Sequence, residues 1–173
     1  MLIVMPFEAQ LDRGSFRCGK PDLDDWLKRY AGQGERDNSA RTTYLVDEQE
    51  VRVAGYFTLV TYRLEVEDLT PELTRRPRYP MSAMLLARLA VDERYQGQGL
   101  GKVLLFEALQ RLARSSEDIG FEVVVVDALD EDAACFYLRF GFRRCADHSL
   151  RLFMMSKDLR AGFAAASTEG ELG

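Results

Sequence analysis

The 173-residue sequence predicts a mixed α/β fold, a single sheet flanked by helices, and three observations lead there. β-Branched and aromatic residues crowd the stretches 42–46 and 51–64. From residue 84 on, apolar strand-like runs alternate with helical patterns, and 47% hydrophobic with 29% charged residues suits one domain with a substantial core. Residues 1–163 are assigned to that domain and 164–173, small and polar, to a disordered tail.

Leu2–Met5 reads as a short edge strand. Pro21 opens a helix over 21–36, with Asp22, Asp24 and Asp25 in the first turn, where acids complement the helix dipole. Leu23, Trp26, Leu27 and Tyr30 recur there at helical spacing, and the stretch Gly32–Ala40 is polar and loop-like. Thr42–Val46 and Val51–Leu64, joined by an acidic turn at Asp47–Glu50, form an antiparallel hairpin, and residues 66–80 an irregular connection holding Pro71, Pro77 and Pro80. Met84–Val91, apolar but for Arg88, is a buried strand. A helix follows from about Lys102 to Ser115, with Val103, Leu104, Phe106, Leu109 and Leu112 as its buried stripe. Phe121–Val126 is a second buried strand, Glu131–Phe140 a short helix stopped at Gly141, and Leu150–Ser156 the last strand.

Lys and Arg total 23 against 28 Asp and Glu, a formal charge of −5 that excludes a uniformly basic nucleic-acid binder. The balance is uneven, −4 over residues 1–70, +2 over 71–120 and −3 over 121–173. Cys18, Cys135, Cys145 and the single His148 have no zinc-ligand spacing, so the chain is expected to be reduced and metal-free. The charges at Glu8, Asp12 and Arg13 follow Met1–Pro6 too soon for a signal peptide or membrane span, and a cytoplasmic protein without membrane partners is expected.

The most informative segment is Arg94-Tyr95-Gln96-Gly97-Gln98-Gly99-Leu100-Gly101-Lys102, between a buried strand and a helix. Glycines there let several backbone N–H groups converge on an anion at the positive end of the helix, and a phosphate or pyrophosphate is the natural guest. A Walker loop does not fit, because Gln96 stands where its first glycine belongs and Val103 follows Lys102. A dinucleotide fingerprint fails too, since the glycines alternate at 97, 99 and 101.

Arg94, Gly97 and Gly99 resemble the motif of the GNAT acetyltransferase superfamily, Arg or Gln, two residues, Gly, one residue, Gly or Ala. Ala134-Cys135-Phe136-Tyr137-Leu138-Arg139-Phe140-Gly141-Phe142 resembles the segment in which those enzymes carry a tyrosine near the acyl-CoA sulfur. The resemblance spans about residues 5–160. The stretches 18–27, Arg41-Thr42, 86–91 and 128–130 narrow it to the branch acting as toxins of type II toxin–antitoxin pairs. Those toxins acetylate the α-amine of aminoacyl-tRNA, stop translation and are neutralised by ribbon-helix-helix antitoxins.

The resemblance implies a splayed central sheet and acetyl-CoA as cosubstrate. Backbone groups of Leu89 and Val91 would pair with the pantetheine arm. Arg94 and residues 96–102 (Gln96, Gly97, Gln98, Gly99, Leu100, Gly101, Lys102) would hold the pyrophosphate, an N–H near Val91 the oxyanion, and Tyr137 would be the general acid. For tRNA, Arg75, Arg76 and Arg78 are the leading phosphate contacts, with Arg36, Arg41 and Arg88 behind them. Arg88 interrupts an apolar strand and must pair with an acid or project into the cleft. No general base stands out: His148 reads as a surface residue, and direct attack by the amine is preferred to Cys135 as a nucleophile. An acetyltransferase of a small amine or protein N-terminus, and a non-catalytic acyl-CoA-binding module, are the competing readings. Monomer and homodimer both stay open, and the acids at 22–25 face either the antitoxin or a second subunit.

Overall fold

The computed structural model describes residues 1–68 and 80–170, so the cluster Arg75, Arg76 and Arg78 lies outside the described residues. The elements run β1 (Leu2–Pro6), α1 (Pro21–Asp25), a π-helical turn (Trp26–Tyr30), α2 (Ala31–Arg36), β2 (Arg41–Asp47), β3 (Arg52–Leu64), β4 (Met81–Val91), α3 (Leu100–Asp118), β5 (Val123–Asp127), α4 (Glu131–Leu138), β6 (Arg143–Arg144), β7 (Arg151–Met155) and α5 (Ser156–Gly170). Short 3-10 turns occupy Val66–Asp68 and Glu93–Tyr95. The described strands form one mixed sheet in the order β1-β2-β3-β4-β5-β7-β6, flanked by helices, which is the fold class the sequence predicts. By internal contacts the chain divides into two compact units, Met1–Val60 with Leu86–Ala108, and Thr61–Leu85 with Leu109–Gly173.

In the first unit β1 pairs antiparallel with β2 (Ile3↔Val46, Met5↔Tyr44), and β2 with β3 (Thr43↔Phe57). The register slips between Leu45 and Val46, the mark of a bulge. The helical stretch 21–36 buries Leu27 and Ala31 against Phe16, Tyr44, Val46, Val53, Tyr56 and Ala90. Helix continues through Arg36, the bound expected for the stretch opened at Pro21, so the polar, loop-like character from Gly32 does not break it. Gly34 has a packing reason to be there, since a Cβ on it would sit 3.0 Å from the Ala40 Cβ. Gly55 plays the same part in β3: a Cβ there would meet Leu104 Cδ1 at 2.8 Å and the Ala90 carbonyl at 3.0 Å. That close approach sets which face of α3 turns inward. Leu104, Leu105, Ala108, Leu109, Leu112 and Ala113 are buried, whereas Val103 and Phe106, expected in the stripe, are 43% and 52% exposed.

In the second unit β5 and β7 pair antiparallel from Val123↔Met155 to Asp127↔Arg151, and β6 joins β7 at Arg143↔Phe153. Val123, Val124, Val125 and Val126 are all buried, as in a strand covered on both faces. Leu64, Met81, Ala83, Cys145 and Phe153 complete a core cluster with Val123 and Val125. Neither β6 nor α5 was foreseen. α5 is anchored by Leu159, 3% exposed, and continues through Gly170, into the segment assigned to a disordered tail. Among the described residues no helix is long and apolar enough to cross a membrane.

Candidate active site

β4 ends at Val91, and the chain then passes through the 3-10 turn Glu93–Tyr95 into an exposed glycine turn that opens α3. Asp92 fixes the start of this path. Its amide donates to the Ala54 carbonyl at 2.9 Å, and its carboxylate, 1% exposed, accepts from Arg94 N (3.1 Å), Arg94 Nε (2.9 Å), Arg94 Nη2 (3.1 Å) and Arg17 N (3.0 Å). The motif arginine is thus engaged as a bidentate partner of a buried acid. Gln96 is tethered as well, its Nε2 donating to the carbonyls of Val91 (2.8 Å) and Cys18 (3.0 Å). Cys18 in turn donates its amide to Asp24 Oδ1 at 2.9 Å, so the segment before α1 braces the loop from behind. The Tyr95 hydroxyl donates to Asp47 Oδ2 at 2.9 Å, and burial, helped by that bond, pushes the phenol up to about 12.

These tethers leave Gly97 and Gly99 facing outward. Both adopt φ of +77°, which glycine alone takes without strain, and a Cβ on either would meet nothing within 4 Å. They stand at the N-terminus of a 19-residue helix, whose first N–H groups have no partner inside the helix. Lys102 and Gln98 are exposed, while Leu100 and Gly101 are half-buried. An anion such as a pyrophosphate fits this open, backbone-lined, electropositive turn. Leu89 and Val91 are half-buried in β4.

Tyr137, in the other unit, lies on α4. Asp130 caps that helix by accepting from Ala133 N at 2.9 Å. The other end is a Schellman motif: Gly141, at φ +92°, donates to Leu138 O (3.4 Å), and Phe142 N donates to Tyr137 O (3.4 Å). The phenol is 7% exposed, its ring edge-on to Phe142 at 5.7 Å and to Phe136 at 5.2 Å. Burial pushes its pKa above the ordinary tyrosine range, so it is a fully protonated donor at neutral pH.

Other sequence candidates fall differently. Arg41 pairs with Glu35 (Nη1–Oε2, 3.0 Å) and also bonds Asn38 Oδ1, and Arg36 is exposed at the end of α2. Arg88 has no acid partner among the described residues, and its guanidinium lies 4.5 Å from the centroid of Trp26. Cys135 is exposed, with its Sγ 3.8 Å from Glu131 Oε1, and His148 is exposed at φ +59°. No group of His, Cys, Asp or Glu among the described residues is arranged to hold a metal ion. Asp92 and Gly55 escaped the sequence reading. An Asp directly after an apolar strand, two residues before the motif arginine, was the usable signal for the first.

The open glycine turn after a β-strand and the buried phenol on a capped helix each suit an acyl-CoA-dependent acyltransferase. The Acetyltransferase (GNAT) domain family matches residues 40–144, and the chain belongs to that family and is an N-acetyltransferase. It is 34% identical over 150 residues to a tRNA-acetylating toxin of Mycobacterium tuberculosis (strain ATCC 25618 / H37Rv), covering 87% of this chain and 89% of the relative. Among solved structures it resembles AtaT complexed with acetyl-methionyl-tRNAfMet, with a TM-score of 0.83, 27% identity and coverage of 94% of this chain and 99% of the other. It also resembles a tyrosine-to-phenylalanine mutant of the AtaT toxin bound to the C-terminus of the antitoxin AtaR and acetyl-CoA, with a TM-score of 0.78, 26% identity and coverage of 94% and 98%.

Proposed function

We propose that the protein transfers the acetyl group of acetyl-CoA to the α-amine of an aminoacyl-tRNA and is the toxin of a toxin–antitoxin pair, held by a ribbon-helix-helix antitoxin. The observation that carries this reading is the likeness, over 87% of the chain, to a tRNA-acetylating toxin. The outward glycine turn and the protonated Tyr137 supply the chemistry.

In this mechanism the backbone of Gln96–Lys102 binds the cosubstrate's pyrophosphate, and Leu89 and Val91 align its pantetheine arm along β4. Acetyl-CoA supplies a thioester as acyl donor. The neutral amine attacks its carbonyl, a C–N bond forms, and the C–S bond breaks. An N–H near Val91 stabilises the oxyanion. Tyr137 gives its proton to the departing thiolate and regains one from the amine nitrogen. An α-amine, with a pKa of about 8 against about 10.4 for lysine, reaches its neutral form without a strong base, in keeping with a site that offers no histidine. Arg36, Arg41 and the sequence cluster Arg75, Arg76 and Arg78 are the contacts we assign to tRNA phosphates.

The test is transfer of labelled acetyl from acetyl-CoA to charged tRNA, followed by release and identification of the N-acetylated amino acid. Label on charged tRNA and none on uncharged tRNA is expected. Label only on small amines or protein N-termini would replace the substrate while leaving the acetyltransferase intact.

A further inference from the structure

Arg88 interrupts β4 one residue before Leu89, and the site described above does not use it. Its guanidinium stacks 4.5 Å from the Trp26 centroid. That indole lies nearly parallel to Tyr56, at 6.1 Å and 12°. Tyr56 is immovable in turn: it is fully buried, edge-on to Phe16 at 5.5 Å, and its hydroxyl donates to the Leu23 carbonyl at 2.8 Å, three residues before Trp26. Four aromatic and backbone groups therefore fix one arginine head in place.

The head so fixed has donors to spare. Arg41, Arg94, Arg144 and Arg151 each pair with a carboxylate, of Glu35, Asp92, Glu131 and Asp127 respectively. Arg88 pairs with none among the described residues, although it is half-buried and burial lowers its pKa. A guanidinium stays charged under such a shift. An unpaired, half-buried cation is costly to keep, and a stack on an aromatic face replaces only part of its lost hydration. Stacking leaves the planar edge of the fork free, and that edge matches two phosphate oxygens at once.

We propose that Arg88 is a phosphate clamp for the nucleic-acid substrate, gripping a phosphodiester close to the aminoacyl end, and that Trp26 is its positioning residue. The proposal rests on the tRNA reading above. The cosubstrate also carries phosphates, and the experiment separates the two sources.

Acetylation of charged tRNA is compared with that of an amino-acid methyl ester, which offers the same α-amine and no phosphate. Arg88→Ala is expected to lower kcat/KM for charged tRNA about 10- to 100-fold more than for the ester, as loss of a charge-assisted bidentate contact implies. It should also flatten the dependence of log KM on log salt by about one phosphate's worth. Trp26→Leu should reproduce part of this selectivity loss and Trp26→Tyr restore it, with thermal midpoints reporting on folding. Equal losses on both substrates would overturn the clamp, and so would a loss confined to the KM for acetyl-CoA. If wild-type protein acetylates the ester but never charged tRNA, the tRNA reading itself fails. If it acetylates charged tRNA and Arg88→Ala keeps full selectivity and salt slope, only the clamp fails.

Discussion

The glycine turn of one unit and the tyrosine helix of the other are built in opposite ways. In the turn the side chains of Asp92, Arg94 and Gln96 are consumed by the scaffold, and the backbone at Gly97 and Gly99 is offered to the outside. At Tyr137 the backbone is consumed, its carbonyl accepting from Phe142 in the helix cap, and the side chain is the group we propose as the acid. A main-chain binding site is made rigid by committing its side chains, whereas a side-chain acid is made rigid by capping its backbone and wedging its ring. The two regions should therefore fail differently: the turn through backbone conformation and bulk, the helix through a single oxygen.

The largest expected effect tests the second half of that contrast. Tyr137→Phe keeps the ring contacts with Phe136 and Phe142 and removes only the hydroxyl. Steady-state kinetics should show kcat lowered about 100- to 10,000-fold, the usual span for a general acid, with little change in the KM for acetyl-CoA. Full turnover would remove Tyr137 from the chemistry and with it the contrast.

Next comes the turn. In Gly99→Glu the side chain has open space, so the damage comes from the φ of +77° and from negative charge at a helix N-terminus. Calorimetric titration with CoA should show affinity reduced about 10- to 100-fold, equivalent to about 1.4–2.8 kcal/mol. Unchanged affinity would take the turn out of the binding site. Gly141→Ala carries the same type of strain to the tyrosine side, where φ is +92° and a Cβ would approach Met154 Cε at 3.4 Å. A cost of about 1–2 kcal/mol is expected. For a chain of this size that lowers the thermal midpoint by roughly 2–8 °C. Here kcat should fall while CoA affinity holds, the reverse of the Gly99 variant.

What the sequence disclosed follows the same division. Local signals were readable: the glycine turn, Gly141 as a helix stop, and the hairpin of β2 and β3 all depend on neighbours in the chain. Non-local packing was not. The inward face of α3 is set by Leu104 meeting Gly55, so a stripe drawn from spacing alone admitted the exposed Val103 and Phe106. Arg88 was expected to pair with an acid or project into the cleft, and its stack on Trp26, 62 positions earlier, was not legible. The motif arginine, Arg94, is legible as a motif member, but its engagement with Asp92 required the carboxylate to be buried, which no spacing announces.

The mildest effect concerns pH, and it also separates the two regions. Burial pushes the phenols of Tyr44, Tyr56 and Tyr137 above the ordinary range. The folded state thus holds these protons to higher pH than the unfolded chain, whose tyrosines titrate at about 10. The associated stability is fully present below about pH 10 and is lost as pH rises from there toward the folded values. Below that limit Tyr137 stays protonated, so its own titration cannot lower the rate. Turnover on an α-amine substrate should rise through about pH 8, where the amine loses its proton, and then hold level to about pH 10. CoA affinity, set by backbone groups that do not titrate, should stay flat over the same interval. A falling limb in kcat near about pH 9, with the fold intact by circular dichroism, would mean an acid weaker in its hold on the proton than a buried tyrosine, and would move the acid role away from Tyr137.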